Sequence, residues 1–306
     1  MAKVHPKQVK TISEFHSLQK LTKPEHPLIS LVNFEDIKYD PNDDAVSLVM
    51  GFYSIGLKRN FNAKMKYGQQ TYDFDEGMMT FLAPGQLLRI DAEPNTILEH
   101  SGWLLLIHPD FLWNNSLAEK IRRYDYFSYS INEALHLSDR EEAIIIAILK
   151  NIAQEYRSNI DRFSQDLIIT QVELLLTYAE RFYHRQFLTR KISNHQLLDR
   201  METLLNGYFE KEALLKNGVP SVTGIAEGLN VSPNYLGSLL KLLTGQSTQQ
   251  HIHDRLIRKA KEKLSTTALS ISEVAYSLGF EHPQSFTKLF KAKTDLSPIE
   301  FRKSFN

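Results

Sequence analysis

The feature that most constrains this chain is a unit written twice between Pro220 and Arg302. Ile225-Ala226 and Leu229-Asn230 recur as Val274-Ala275 and Leu278-Gly279 at an offset of 49. From Ser232-Pro233 and His282-Pro283 onward the offset is 50, holding through Leu236/Phe286, Leu239-Leu240-Lys241/Leu289-Phe290-Lys291, Thr244/Thr294 and Ser247/Ser297. A repeat of this period marks one supersecondary unit used more than once. Each copy reads as helix, short turn, helix. The alanine falls mid-way in the first helix, where a small side chain lets the second helix pack close. Asn230 or Gly279 stands where the turn needs a left-handed residue. This is the layout of a DNA-binding helix-turn-helix, and two in tandem are far more specific than one.

The start and stop signals agree with that reading. Ser221 can cap a helix over 222–229, and Ser232-Pro233 opens the next with serine at the N-cap and proline at the first helical position. In the second copy Ser270-Ile271-Ser272-Glu273 is a capping box, and His282-Pro283 opens the second helix in the same way. The units close at Gly245 and Asp295, giving spans of about 221–245 and 270–295. Between them, Gln249 to Leu264 reads as one helix of about 16 residues, near 24 Å at about 1.5 Å per residue. A rigid spacer matters because two recognition helices about 34 Å apart can enter successive major grooves on one face of B-DNA.

Burial then sorts the side chains of the two recognition helices. Tyr235, Leu236, Leu239, Leu240 and Leu243 form the apolar face of the first, leaving Asn234, Gly237, Ser238 and Lys241 outside. Phe286, Leu289 and Phe290 form that of the second, so Gln284, Ser285, Thr287, Lys288 and Lys291 project. Asn and Gln match adenine edges, and Lys reaches guanine or phosphate. Lys241 and Lys291, late in their helices, read as phosphate contacts. Any one such residue alone would read as a solvated helix face; the two faces together point to DNA.

Charge supports the division. The 306-residue chain is neutral overall, but 213–306 carry 12 Lys and Arg against 7 Asp and Glu, leaving 24 against 29 for 1–212. A basic C-terminal third beside an acidic remainder fits one nucleic-acid-facing domain and one that is not. There is no Cys, which excludes disulfides, thiolate metal sites and cysteine nucleophiles. Met1 to Lys20 lacks the apolar core of a signal peptide, and no apolar run approaches the roughly 18 residues of a membrane span. A soluble cytoplasmic protein with no membrane partner is expected.

Ahead of the repeat, residues 1–35 read as an arm packed on the rest. Ser47 to Ile55, Met79 to Leu82 and Trp103 to Ile107 read as strands. Turn chemistry at Lys66-Tyr67-Gly68, Asp73 to Gly77 and Pro84-Gly85 separates them, suggesting a small antiparallel barrel or sandwich. Asp73, Asp75 and Glu76 fit either metal ligands or a solvated hairpin. At Ser138-Asp139-Arg140-Glu141 a capping box opens a helix with Ile145, Ile148, Leu149, Ile152 and Tyr156 on one stripe. A second helix, Asp161 to Phe187, has an apolar face wider than one partner needs. A dimer contact and cover from the strands both account for the surplus. Arg185 to Asn194 reads as a hinge, and Gln196 to Lys216 as one more helix.

The C-terminal hundred residues resemble the DNA-binding domain of the AraC/XylS family of bacterial transcription regulators. The residues that carry the resemblance include Ile225-Ala226, Ser232-Pro233-Asn234-Tyr235-Leu236, Thr244-Gly245-Gln246-Ser247, Arg258 to Leu264, Ile271 to Ala275, Leu278-Gly279-Phe280, Leu289-Phe290-Lys291, Ser297-Pro298 and Phe301-Arg302. The resemblance places base-reading positions at Asn234, Gly237, Ser238, Pro283, Gln284, Thr287 and Lys288. Two departures stand out. Gly237 and Ser238 occupy positions where members often carry longer polar or basic side chains, weakening base readout by the first helix. Asp295 replaces the usual glycine, which Asp tolerates in a left-handed conformation. More loosely, Tyr67-Gly68, Tyr72-Asp73-Phe74, Glu76-Gly77, Pro84-Gly85-Gln86, Gly102-Trp103 and His108-Pro109-Asp110 resemble the family's cupin-like sensor domain. Asn132 to Ser138 and Arg181 to Phe187 resemble a Bacteroidetes-type branch.

The expectation is an α+β chain with a cupin-like small β-barrel and flanking helices over 1–137, a helical dimerisation and linker segment over 138–194, and an all-α DNA-binding domain over 195–306. The resemblance implies a transcription regulator, activator or repressor, homodimeric, meeting a double-stranded operator and RNA polymerase and answering to a small-molecule effector in the barrel. No cofactor, metal or catalytic residue is expected, and the effector-contacting residues are not identified. A cupin enzyme's metal sits on His-x-His with Glu and a further His. Here His100 and His108 are isolated, and His251-Ile252-His253 lies on a helix where i and i+2 face apart. No Gly-x-Ser-x-Gly nucleophile motif occurs. The second reading, from another class, is a metal- or metabolite-binding cupin, enzymatic or not, fused to a DNA-binding module.

Overall fold

The computed structural model of the chain describes residues 6–37, 46–59, 77–90, 101–129, 133–158, 161, 163–189, 191–210 and 218–304. The chain divides into two compact units, Met1–Gln186 and Phe187–Asn306. It is a mixed α+β protein: every described strand lies in the first unit, and the second is helical.

Eight strands occur among the described residues: β1 (Lys7–Val9), β2 (Ile29–Asn33), β3 (Val46–Met50), β4 (Tyr53–Arg59), β5 (Met78–Leu82), β6 (Leu87–Ile90), β7 (Ser101–Ile107) and β8 (Leu135–His136). They form a five-stranded sheet in the order β2-β7-β4-β5-β8, antiparallel throughout, and a three-stranded sheet in the order β1-β3-β6. The smaller sheet pairs β1 with β3 in parallel and β3 with β6 in antiparallel. The described strands thus make two sheets and no closed barrel. Of the two forms the alternation suggested, barrel or sandwich, the described part has open sheets.

Helix α1 (Ile12–Leu18) starts at a Thr11/Glu14 capping box and buries Ile12 and Phe15. These two join Leu48, Met50, Leu104 and Leu106 in one core, so it draws on both sheets. Residues 6–35 are more than an arm packed on the rest: β1, α1 and β2 supply sheet pairing and core. Along β7 successive side chains alternate between faces. Leu105 and Ile107 are as fully buried as Leu106, so both faces of the large sheet are covered. Aromatic residues do part of that covering: Tyr53 and Phe81 set their rings 5.3 and 5.6 Å from Phe127, and Tyr126 stacks on Tyr183 at 5.4 Å. The Tyr126 hydroxyl donates to the Leu176 carbonyl (3.0 Å), and burial pushes its pKa far up.

The run read as one strand from Ser47 to Ile55 breaks at Gly51. Its N–H donates to the Val9 carbonyl (2.8 Å), and a Cβ there would meet the Lys10 oxygen at 3.0 Å. The chain turns where the backbone just past β1 leaves little room for a side chain, giving β3 and β4. Gly102 is constrained more severely, with φ +117 and a would-be Cβ 2.0 Å from the Leu57 oxygen. Gly85 (φ 84) closes the Pro84-Gly85 turn. The Lys66–Gly68 turn, the Asp73–Glu76 acids and His100 lie outside the described residues.

Helix α2 (Leu117–Lys120) follows β7, and α3 (Asp139–Arg157) begins where the Glu141 carboxylate accepts from the Ser138 N–H (2.9 Å). Ile145, Ile148, Leu149 and Ile152 are buried, as the stripe requires. On α4 (Ser164–Thr189), Ile168, Val172, Leu175, Leu176, Ala179 and Phe182 are buried, whereas Phe163, just ahead of it, Leu167 and Leu174 face solvent. The Arg185 guanidinium donates to the Glu141 carboxylate (Nε 2.9 Å) and to the His136 carbonyl (2.7 Å). The segment read as a hinge is accordingly helical up to Thr189 and anchored at Arg185; Arg190 lies outside the described residues.

In the second unit α5 (Lys191–Glu210) precedes α6 (Val222–Leu229), α7 (Pro233–Thr244), α8 (Thr248–Thr266), α9 (Ile271–Ser277), α10 (Pro283–Thr294) and α11 (Pro298–Lys303). One core runs through it, holding Ile225, Ala226, Leu236, Leu240, Ile252, Leu256, Ala260, Val274, Ala275, Phe286 and Phe290. No helix among the described residues is long and apolar enough to cross a membrane.

Candidate nucleic-acid interface

The two helix-turn-helix units are built alike because their turns make the same bonds. The Val231 N–H donates to the Ala226 carbonyl at 3.0 Å, and the Phe280 N–H donates to the Ala275 carbonyl at 3.1 Å. Both alanines have no exposed surface. Asn230 (φ 58) and Gly279 (φ 82) take the left-handed conformation that lets the chain reverse, which most residues with a Cβ resist but Asn tolerates and Gly adopts freely. Helix α7 opens on Ser232, whose hydroxyl accepts from the Tyr235 N–H (3.2 Å), with Pro233 in the first turn. Helix α10 opens on His282 with Pro283, but the imidazole makes no cap bond. Asn and Asp favour such turns and caps because a short polar chain bonds locally; His282 leaves the work to proline.

Both recognition helices end alike. Gly245 (φ 74) and Asp295 (φ 60) are left-handed, and their N–H groups donate to the carbonyls of Lys241 (3.0 Å) and Lys291 (2.9 Å). Asp295 thus performs the glycine's role. Between the units, α8 starts at a Ser247/Gln250 capping box and runs 19 residues, about 28 Å at about 1.5 Å per residue. The closing helix α11, which the sequence reading did not include, starts at a Ser297/Glu300 capping box. Hydrogen bonds from Ser297 hold the Glu300 carboxyl below its ordinary value, and bonds from Ser270 do the same for Glu273. Arg302 donates from Nε to the Leu264 carbonyl (3.3 Å), fastening α11 to the last turn of α8.

The faces of the recognition helices sort mostly as expected. Leu236, Leu239 and Leu240 of α7 are buried, and so are Phe286 and Phe290 of α10. Leu243, assigned to the apolar face, is 37% exposed instead; it lies one residue from the end of α7, and the core holds Leu236 and Leu240 but not Leu243. Tyr235 is half-buried, its ring 5.2 Å from that of Phe187. On the outer faces Asn234, Lys241, Gln284, Ser285, Lys288 and Lys291 are exposed, and Gly237, Ser238, Pro283 and Thr287 are half-buried. The Thr287 hydroxyl donates to the Pro283 carbonyl (3.0 Å), so it is committed to its own helix. Lys241, Lys288 and Lys291 form no ion pair among the described residues, whereas Lys293 is paired with Asp254 and Lys259 with Glu262.

Nothing among the described residues assembles three metal-ligating side chains. His108 accepts from the Asp110 N–H (3.3 Å) at the start of a short turn. On α8, His251 Nε2 lies 2.9 Å from the Thr244 hydroxyl and His253 Nε2 2.7 Å from the Gln249 amide; burial lowers the pKa of both rings. The sequence reading missed Asp254, which meets both Gln246 and Lys293. No local signal marks it, since its partners lie 8 and 39 residues away.

Residues 225–304 match a family model described as a helix-turn-helix domain. An uncharacterised HTH-type transcriptional regulator of Bacillus subtilis, YfiF, is 24% identical over 241 residues, covering 77% of this chain and 71% of that protein. The transcriptional regulatory protein YesN of the same organism is 38% identical over 77 residues, 24% of this chain and 21% of its own length. The arabinose operon regulatory protein of Salmonella typhimurium is 35% identical over 81 residues, 26% of this chain and 29% of its own length. Paired units built on the same turn, joined by one helix and matched by proteins named as regulators, make this chain a DNA-binding transcription regulator of the AraC type.

Proposed function

We propose that α7 and α10 enter successive major grooves of a double-stranded operator, with α10 as the principal base reader. The observation that carries this reading is the asymmetry of their outer faces. Gln284 and Lys288 are exposed on α10, while α7 offers Gly237 and Ser238, both half-buried, beside the exposed Asn234. An exposed glutamine can hydrogen-bond an adenine edge bidentately, and Lys288 can reach guanine. Pro283 and Thr287 shape the start of the same face, with Ser285 beside them. Lys241 and Lys291 stand in the last turn of each helix, without an ion pair among the described residues and suited to phosphate.

On this reading Gln284→Ala costs about 1–3 kcal/mol at one or two base pairs. Lys291→Ala weakens selected and random duplexes alike and makes the salt slope shallower by about 1. Fluorescence anisotropy on a duplex recovered by selection from random DNA, against a scrambled duplex, decides the matter. Equal losses on both duplexes for both variants would remove the assignment.

The first unit we read as the sensor of a small-molecule effector, with the cupin-like pattern of its turns supporting that role. A cavity of about 240 Å³ in this unit is lined by His26, Phe111, Glu155, Tyr156 and Gln165 among others, mixed apolar and polar as ligand sites are. The solvent-facing Phe163, Leu167 and Leu174 suit a contact with a second copy of the chain. An AraC-type regulator acting from its operator meets RNA polymerase, and we assign this chain the same partner.

A further inference from the structure

We infer that Asp254 is a positioning residue that sets the spacing at which the two recognition helices present themselves to DNA. Its carboxylate joins three elements. Oδ2 accepts from the Gln246 side-chain amide (3.0 Å), and Gln246 directly follows Gly245, the left-handed residue that ends α7. Oδ1 accepts from the Lys293 ammonium (2.8 Å), and Lys293 lies in the last turn of α10. Asp254 itself stands in the second turn of α8. One carboxylate therefore ties the exits of both recognition helices to the same point on the helix that separates them.

The tie exists because the two copies differ. At the offset of 50 the counterpart of Gln246 is Leu296, and that of Lys293 is Leu243. Each copy supplies the polar partner that the other lacks. Burial works against charge at Asp254, yet the Lys293 ammonium and the Gln246 amide together hold its carboxyl below the ordinary value. The pair is part-exposed, with Lys293 at 29% and Asp254 at 37%, so its contribution to folding is modest. Geometry is where it acts. A few degrees of swing at the end of α8 moves the far recognition helix off its groove, and a bidentate base contact fails within an ångström. Lys293, held by Asp254, is also kept from wandering to a phosphate.

This inference rests on the proposal that α7 and α10 both contact DNA, and the experiment separates the two. Full-length protein is used to select a duplex from random-sequence DNA. Binding is then measured on that duplex, on versions with one base pair added or removed between the two contacted segments, and on a duplex carrying only the segment read by α10. Wild-type protein is expected to favour the selected spacing over both altered spacings. Asp254→Ala is expected to lose about three- to tenfold on the selected duplex, the worth of one part-exposed ion pair and one hydrogen bond. On the single-segment duplex it should stay within about twofold of wild type, with a flattened spacing preference. The charge-reversed pair Asp254→Lys with Lys293→Asp should restore that preference. An Asp254→Ala protein that keeps the preference, or loses equally on the single segment, overturns the inference. A charge-reversed pair that restores nothing also overturns it. Wild-type protein with no spacing preference would refute the two-groove reading, and this inference with it. Circular dichroism melting of each variant separates loss of position from loss of fold.

Discussion

Gly237 sits in the interior of α7, yet a Cβ built there meets nothing within 4 Å. A glycine in a helix interior costs about 0.8–1 kcal/mol against alanine, since it loses more backbone freedom on folding. Here no neighbour forces the choice. Gly237→Ala should therefore stabilise the C-terminal unit by about 0.8–1 kcal/mol, raising its melting temperature by roughly 4 °C for a unit of this size. Two other glycines of the unit supply controls of different sign. At Gly228 the added carbon comes 2.7 Å from the tip of Leu204, so the propensity gain is offset by repacking of that side chain. At Gly245, with φ +74, alanine is strained whatever the space and should destabilise by about 1 kcal/mol or more. Urea denaturation of the full chain, followed by circular dichroism and read at the transition of the helical unit, ranks the three. A Gly237→Ala protein less stable than wild type would refute the reading that nothing packs against a side chain at position 237.

Two further outcomes follow from the same geometry. Leu174→Glu places a charge in the solvent-facing stripe of α4; on the proposed contact with a second copy it should shift the chain from dimer to monomer in sedimentation without lowering its melting temperature, and a dimer that persists, or a wild-type chain that is monomeric, would remove α4 from that role. The stability advantage of wild type over Asp254→Asn should depend on pH. Because the folded carboxyl is held below its ordinary 3.8, the unfolded chain takes up the proton first. The advantage is full above that value and fades as the pH falls through and below it. An advantage that grew on acidification would contradict the Lys293 pairing.

Much of the second unit was legible because its signals are local. Ser221, Ser232 and Ser270 cap helices where their spacing to the apolar residues requires it, and Asn230, Gly245, Gly279 and Asp295 are left-handed where the chain must turn. Helix α11 carried a usable signal in Ser297-Pro298-Ile299-Glu300, another capping box. The first unit was less legible because its decisive constraints are remote. That Gly51 breaks a strand depends on Lys10, far back in the chain, and that Gly102 must lack a side chain depends on Leu57. Short strands such as β1 and β8 exist only through their partners β3 and β5, so no periodicity announces them. The outer faces of α7 and α10 could be read from helical spacing alone. Leu243 could not, because its exposure depends on where the core ends, and Asp254 could not, because both its partners are reached only after folding.

On the proposed function, two recognition helices, spaced by α8, engage one face of a duplex. Hydroxyl-radical footprinting of the full-length protein on its selected operator tests this most directly. Two protected segments centred about 10 base pairs apart on the same face are expected, with Gln284→Ala relaxing base preference only in the segment under α10. A single protected segment, or protections on opposite faces of the duplex, would contradict that reading.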